Sequence, residues 1–180
     1  MNACMRATRR PDVLDIIAID MVVPRPHRHQ QENHVIDGRR RWRRVGVLHR
    51  SRLEGAVDHT GGPLWLNDFR SEHGLNDRVP EEALDQFRHS LALVHPEHLT
   101  LSMRWDSVRA EFSLDGCDYR LRVTDPRVES WMATADGKQA FEDAYLCVSL
   151  SEPYRPNPDE PRYAYKLVAA VITSGHRHRS

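Results

Sequence analysis

The residues with the most chemical potential in this chain are arginines. Arg104, Arg109, Arg120 and Arg122 fall in a stretch of alternating apolar and polar residues from Leu99 to Thr124. Alternation of period two marks half-buried strands, so residues spaced by two share a face. Asp115-Gly116 is a strong two-residue hairpin turn. It pairs Leu114 with Cys117, Phe112 with Tyr119, Ala110 with Leu121 and Val108 with Val123. A weaker turn at Asp106-Ser107 pairs Trp105 with Val108 and Met103 with Ala110. Both turns put apolar side chains on one core face, including Trp105, Phe112 and Tyr119.

The other face follows from the same registers. It sets Arg104 beside Arg109 and Arg109 beside Arg122, with Glu111 opposite Arg120 as an ordinary cross-strand ion pair. Like charges directly opposite on neighbouring strands destabilise a sheet. A row of three has a use if an anion sits on it, and phosphate matches the arginine fork bidentately. The plain alternative is a solvated face. Arginine is abundant here: of 26 Lys and Arg residues, only Lys138 and Lys166 are lysines. With the aromatics assigned to the core, contacts on this face are expected to go to backbone phosphates rather than to stacked bases.

A second basic cluster, Arg39–Arg44, has Trp42 inside it. On a strand, Arg41 and Arg43 share one face, and Arg40 and Arg44 the other. This is either a further phosphate contact or a charged edge that discourages aggregation. Asn67, Asp68, Ser71, Asn76 and Asp77 lie in the turn-dense segment 60–77 and form either a polar site or the turns themselves. His27, His29 and His34 with Glu32 fit no zinc spacing, so neither a metal nor a cofactor is expected. Cys117 and Cys147 lie on expected strands, and Cys117 faces the core, where a thiol acts as a small hydrophobe. P-loop, GxGxxG, GxSxG and HExxH patterns are absent. The expectation is a noncatalytic protein.

These residues need elements to position them. Val13–Val23 and Arg40–Leu48 read as strands, with a polar loop at His27–His34. Pro80-Glu81-Glu82 opens a helix expected to reach about His89, since proline and acids suit a first helical turn. Three strands follow, Leu99–Trp105, Val108–Leu114 and Cys117–Thr124. A helix is expected over Pro126–Phe141, N-capped by Asp125, with Gly137 able to split it. Strands at Ala144–Leu150 and Ala164–Thr173 flank a Pro-rich loop, 151–162. The order strand, strand, strand, helix, strand, strand is that of an OB barrel, a five-stranded, partly open barrel.

The fold class is therefore mainly β with minor α. An OB-like barrel is expected over residues 90–174, and a partial OB-like unit over 13–89. Residues 1–12 and 175–180 read as disordered. The chain has 180 residues, 39% hydrophobic and 29% charged, enough for one modest core. Basic and acidic residues balance at 26 each, which excludes a polybasic tail protein but not a local basic patch. The longest apolar run is broken by Asp15 and Asp20, so no membrane partner is expected. Three cysteines without a CxxC pattern point to reduced thiols in the cytoplasm.

Five segments stand out: PRPHRHQQENHVID (24–37), LWLNDFRSEHGLNDRV (64–79), YRLRVTDP (119–126), YLCVSLSEP (145–153) and YKLVAAVI (165–172). Together they resemble a bacterial family of dual OB-fold-containing proteins described as nucleic-acid-binding. The last two are the most specific, and the resemblance spans roughly Val13 to Ile172. It implies two OB units and nucleic-acid binding, and it supplies no catalytic residues. Family members carry further N-terminal strands, so the first barrel is expected to be incomplete here, with an exposed edge. The function expected is nucleic-acid binding, to RNA or DNA, through Arg104, Arg109, Arg120 and Arg122 with help from Arg40, Arg41, Arg43 and Arg44. Two alternatives stand beside it. One is a module for a protein partner or small ligand. The other is an enzyme acting on nucleotides at Asn67, Ser71, Asn76 and Asp77.

Overall fold

A computed structural model describes residues 11–174. The expected disordered tail at 175–180, and most of the N-terminal segment expected to be disordered, lie outside the described residues. The first half contains two short antiparallel ladders. β1 (Asp15–Ala18) pairs with β4 (Arg43–Val47), and β2 (Met21–Pro24) pairs with β3 (His34–Ile36). The single strand expected over Val13–Val23 is thus broken at Ile19-Asp20, its two halves pairing with different partners. The His27–His34 loop tethers these ladders to the rest. His29 is buried, with Nε2 3.1 Å from the Ser151 carbonyl oxygen. Arg28 forms ion pairs with Glu81 (2.9 Å) and Asp85 (3.0 Å).

The second half is a barrel. After β5 (Arg78–Pro80), a 3-10 turn at Glu81–Gln86 replaces the expected α-helix. Then come β6 (Leu91–Val94), β7 (Leu99–Arg104), β8 (Ser107–Leu114), β9 (Cys117–Val123), α1 (Pro126–Met132), β10 (Gln139–Phe141), β11 (Ala144–Leu150) and β12 (Tyr163–Thr173). The strand order is β10-β7-β8-β9-β12-β11-β6. β6 and β7 are separated only by residues 95–98, around Pro96. They act as one bent segment whose first half pairs with β11 and whose second half pairs with β8, and this closes the sheet on itself. β9 and β12 run parallel, joined at only two positions, Arg122↔Leu167 and Val123↔Val168. Three meandering strands, a helix, two more strands and one parallel junction make an OB-type barrel.

The helix is shorter than the sequence pattern implies. Asp125 caps it, accepting a hydrogen bond from Arg127 N (3.1 Å), with Pro126 at the first position. It ends at Met132. After Gly137 (φ +66°) the chain re-enters the sheet as β10, on the free edge of β7.

The core lies inside the barrel. Leu99, Leu101, Val108, Ala110, Phe112, Tyr119, Leu121, Leu146, Val148 and Val168 are all buried there. Each large aliphatic among them contributes about 1.5–3 kcal/mol of hydrophobic stabilisation. Beyond their short junction β9 and β12 diverge, and the gap is filled by the chain at 75–80. Leu75 exchanges two backbone hydrogen bonds with Arg120 of β9 (3.2 and 3.0 Å). Asp77 O accepts from Lys166 N (2.8 Å), and β5 pairs with Tyr163–Tyr165 of β12. Leu64 and Val79, at the ends of the preceding segment, are fully buried. Residues 64–80 therefore plug the open side of the barrel.

Candidate functional site

The β8–β9 register is the expected one: Leu114↔Cys117, Phe112↔Tyr119, Ala110↔Leu121 and Arg109↔Arg122. Asp115 (φ +49°) and Gly116 (φ +75°) form the two-residue turn. The β7–β8 register differs. The turn residues are Trp105 (φ +50°) and Asp106 (φ +56°), not Asp106-Ser107. Arg104 consequently lies opposite Ser107, and Ser102 lies opposite Arg109. A slip of two residues preserves the faces, but it breaks the expected row of three arginines. The outer row is Ser102, Arg109, Arg122 and then Leu167 of β12.

The same slip moves Trp105 out of the core. It is 50% exposed, and the ring of His73, from the plug, stacks on it at 4.2 Å and 4°. The guanidinium carbons of Arg104 and Arg109 lie 5.8 and 5.9 Å from its ring centre. A large aromatic in left-handed turn geometry is uncommon, because asparagine and glycine fit there at lower cost. The outer face thus carries the aromatic platform that sequence reasoning had placed inside.

The arginines are not equivalent. Arg120 donates to Glu111 (2.7 Å), and Arg104 lies 4.0 Å from the same carboxylate. Arg109 and Arg122 have no carboxylate within ion-pair distance among the described residues. Arg109 Nε is buried and unpartnered. Burial lowers the Arg109 pKa below its ordinary value, helped by Arg122 and Arg120 and opposed by Asp77. The group stays charged, so it occupies an environment that a bound anion would relieve.

Arg109 and Arg122 line a cleft of about 520 Å³ with Ser71 and Asp77 of the plug, Tyr165 of β12 and Tyr154 of the preceding loop. This cleft joins two groups of residues that the sequence kept apart. Asp77 is buried and accepts hydrogen bonds from Ser71 N (2.7 Å) and Ser71 Oγ (2.5 Å). Gly74 is required for this arrangement, because a Cβ there would lie 1.9 Å from Asp77 Oδ2. Asn67 bridges inward, its Nδ2 donating to Tyr119 Oη (3.0 Å), which also accepts from Leu64 N (2.9 Å). Burial raises the Tyr119 pKa. Asn76 is a turn residue: its Oδ1 accepts from Asp68 N and its Nδ2 donates to Asp118 O.

Lys166 anchors the plug. It is 1% exposed, on the inward face of β12 between Ala164 and Val168. Its Nζ donates to Leu66 O (2.6 Å) and Asn67 Oδ1 (3.0 Å). Burial pushes its pKa down to about 7, against the opposing pull of Asp77 and Cys117. A neutral amine has two N–H donors, matching the two acceptors present. The available signal was a lone lysine inside the apolar run AYKLVAAVI.

The other sequence candidates lie elsewhere. Arg44 pairs with Asp15 (2.5 Å) across the β1–β4 ladder, and Arg40 lies 3.8 Å from Asp37. Arg41 and Arg43 are exposed. This cluster does not contribute to the cleft. Glu32 accepts from Ser90 N and Oγ, and His34 Nδ1 lies 2.7 Å from Glu32 O, so these groups serve the loop. Cys117 is half-buried rather than fully within the core. No helix among the described residues is long and apolar enough to cross a membrane.

A closed OB-type barrel with its open side plugged, carrying an exposed aromatic and a basic cleft, defines a binding module of the OB class. The dual OB-containing domain family matches residues 2–171, and the chain belongs to that family. No curated protein and no solved structure matches the chain significantly.

Proposed function

We propose that the protein binds nucleic acid on the outer face of the barrel, without catalysing a reaction. The observation that carries this reading is Trp105: half exposed, braced by His73 and flanked by Arg104 and Arg109. An exposed aromatic beside guanidiniums is a recurring unit of single-strand recognition. Arg109 and Arg122 take phosphates, while Glu111 tempers Arg104 and Arg120. Base stacking therefore joins the phosphate contacts expected from sequence alone. Arg40, Arg41, Arg43 and Arg44 fit an auxiliary electrostatic role, since they lie on a separate ladder.

The test is fluorescence anisotropy with labelled single- and double-stranded RNA and DNA, comparing wild type with Trp105→Ala. Stacking contributes about 1–3 kcal/mol per base, so single-strand affinity should fall by about five- to 150-fold with unchanged thermal stability. Equal affinity in a folded Trp105→Ala protein contradicts the stacking role.

A second reading, a surface for a protein partner, is favoured by the N-terminal ladders. Met21, Val22, Val23, Val45 and Val47 are exposed there, more apolar surface than isolated side chains explain. On this reading the exposed apolar side chains of β2 and β4 are covered by another chain, and the barrel carries the binding face. Co-purification of a stoichiometric protein that survives nuclease treatment and is lost in Val22→Lys/Val45→Lys would support it.

A further inference from the structure

We propose that the cleft between the plug and β12 is a pocket for one phosphomonoester, carried either by the end of a nucleic-acid strand or by a free nucleotide. For the strand end this deepens the reading above. Three observations lead to it.

The first is charge. Arg109 and Arg122 are directly opposite in register, lie on one face and have no carboxylate within ion-pair distance among the described residues. Two guanidiniums carry two positive charges. An internal phosphodiester carries one negative charge, whereas a phosphomonoester carries about 1.5 to 2 at neutral pH. The terminal group matches the pair, and its extra oxygens give each planar fork its own acceptors. Asp77 lies near Arg109 and lowers this charge, but its carboxylate oxygens are taken by Ser71 N and Ser71 Oγ, so both guanidinium forks stay open to the phosphate.

The second is enclosure. Asp77 and Glu152 both line the cleft. A strand passing straight through would bring successive phosphates against one carboxylate or the other. A strand that ends here, or a single nucleotide, places only one phosphate in the cleft, at the two arginines. The cleft volume of about 520 Å³ also lies within the range of small-ligand sites.

The third is what adjoins the anion site. Tyr154 and Tyr165 line the cleft on the β12 side, and Tyr154 is 61% exposed. They offer aromatic surface for the sugar and base attached to the phosphate. The unpartnered Arg109 Nε is a donor already withdrawn from water, so an acceptor arriving there recovers a hydrogen bond rather than exchanging one.

The experiment uses the full chain and one short single-stranded oligonucleotide, internally labelled, in three forms: 5′-phosphate, 3′-phosphate and hydroxyl at both ends. Competition by adenosine 5′-monophosphate and by adenosine is measured alongside. One phosphorylated form should bind about tenfold tighter or more than the hydroxyl form. The monophosphate should compete and adenosine should not. Arg109→Lys/Arg122→Lys, which keeps the charge and removes the forks, should bring the ratio of phosphorylated-form to hydroxyl-form affinity to about one, whatever its effect on hydroxyl-form binding. Equal binding of all three oligonucleotides without monophosphate competition overturns the pocket and leaves the outer-face reading standing. Monophosphate binding with no oligonucleotide binding supports the pocket for a free nucleotide and overturns the outer-face reading.

Discussion

Lys166 offers a prediction whose size follows from the structure. A lysine held inside a barrel loses the hydration of its ammonium group, and here its pKa falls from the ordinary 10.5 to about 7. The unfolded chain binds this proton up to about pH 10.5, while the folded chain releases it near pH 7. Between those values the unfolded state holds more protons, so folding stability rises with pH. At about 1.4 kcal/mol per pH unit, the full effect is about 5 kcal/mol. Between about pH 7 and pH 9, with the folded group half-titrated at the start, it is about 2 kcal/mol. The assay is urea unfolding followed by tryptophan fluorescence, for wild type and Lys166→Met, at both pH values. Subtracting the variant removes contributions from groups titrating elsewhere. Wild type should gain about 2 kcal/mol relative to the variant. An unchanged difference would refute the argument. It would mean that Asp77 and the two acceptors hold Lys166 fully charged, with an ordinary pKa.

Two further outcomes concern the scaffold. Asp125 is buried. Burial opposes its ionisation, but hydrogen bonds from the Arg127 side chain and backbone outweigh this and hold its pKa below the usual value. Its contribution is complete above about pH 4 and is lost as pH falls through the depressed pKa. Asp125→Ala should cost about 2 kcal/mol at neutral pH by urea unfolding, because it removes the helix cap and two side-chain hydrogen bonds of Arg127, which keeps Asp12 as a partner, and should flatten the acid limb. Gly74→Ala places a Cβ against the Asp77 carboxylate. It should cost about 1–3 kcal/mol and should speed amide exchange selectively at Leu75 and Arg120, whose mutual hydrogen bonds close the plug.

The parts of the fold that were legible in the sequence are those fixed by local chemistry. Asp115-Gly116 demands a two-residue turn, so the β8–β9 register and the adjacency of Arg109 and Arg122 followed from it. Asp125-Pro126 marked the helix start for the same reason. The errors came where a local rule met a tertiary demand. Trp105 is large and apolar, and alternation assigns it to the core, yet the chain turns at Trp105 itself and exposes the ring. β6 was missed because four residues before His95-Pro96 carry too little pattern, although they close the barrel. The expected helix after Pro80 is a 3-10 turn, since Pro80 is already bound into β5. The cleft was half legible. Its arginines and its Ser71 and Asp77 were each singled out, but nothing local indicates that residues 64–80 cross the gap between two diverging strands. Lys166 was noted only as a rare lysine, and its position on the inward face of β12 gives it its role.

The central claim is that Arg109 and Arg122 grip phosphate. The most direct measurement is the salt dependence of single-strand binding for wild type and for Arg109→Gln/Arg122→Gln, with thermal unfolding confirming that both are folded. Each phosphate contact removed lowers the slope of log affinity against log salt by about 0.7 for a single strand. The account predicts a slope shallower by about 1.4 and weaker binding at low salt. Identical slopes and affinities in the two folded proteins would contradict it.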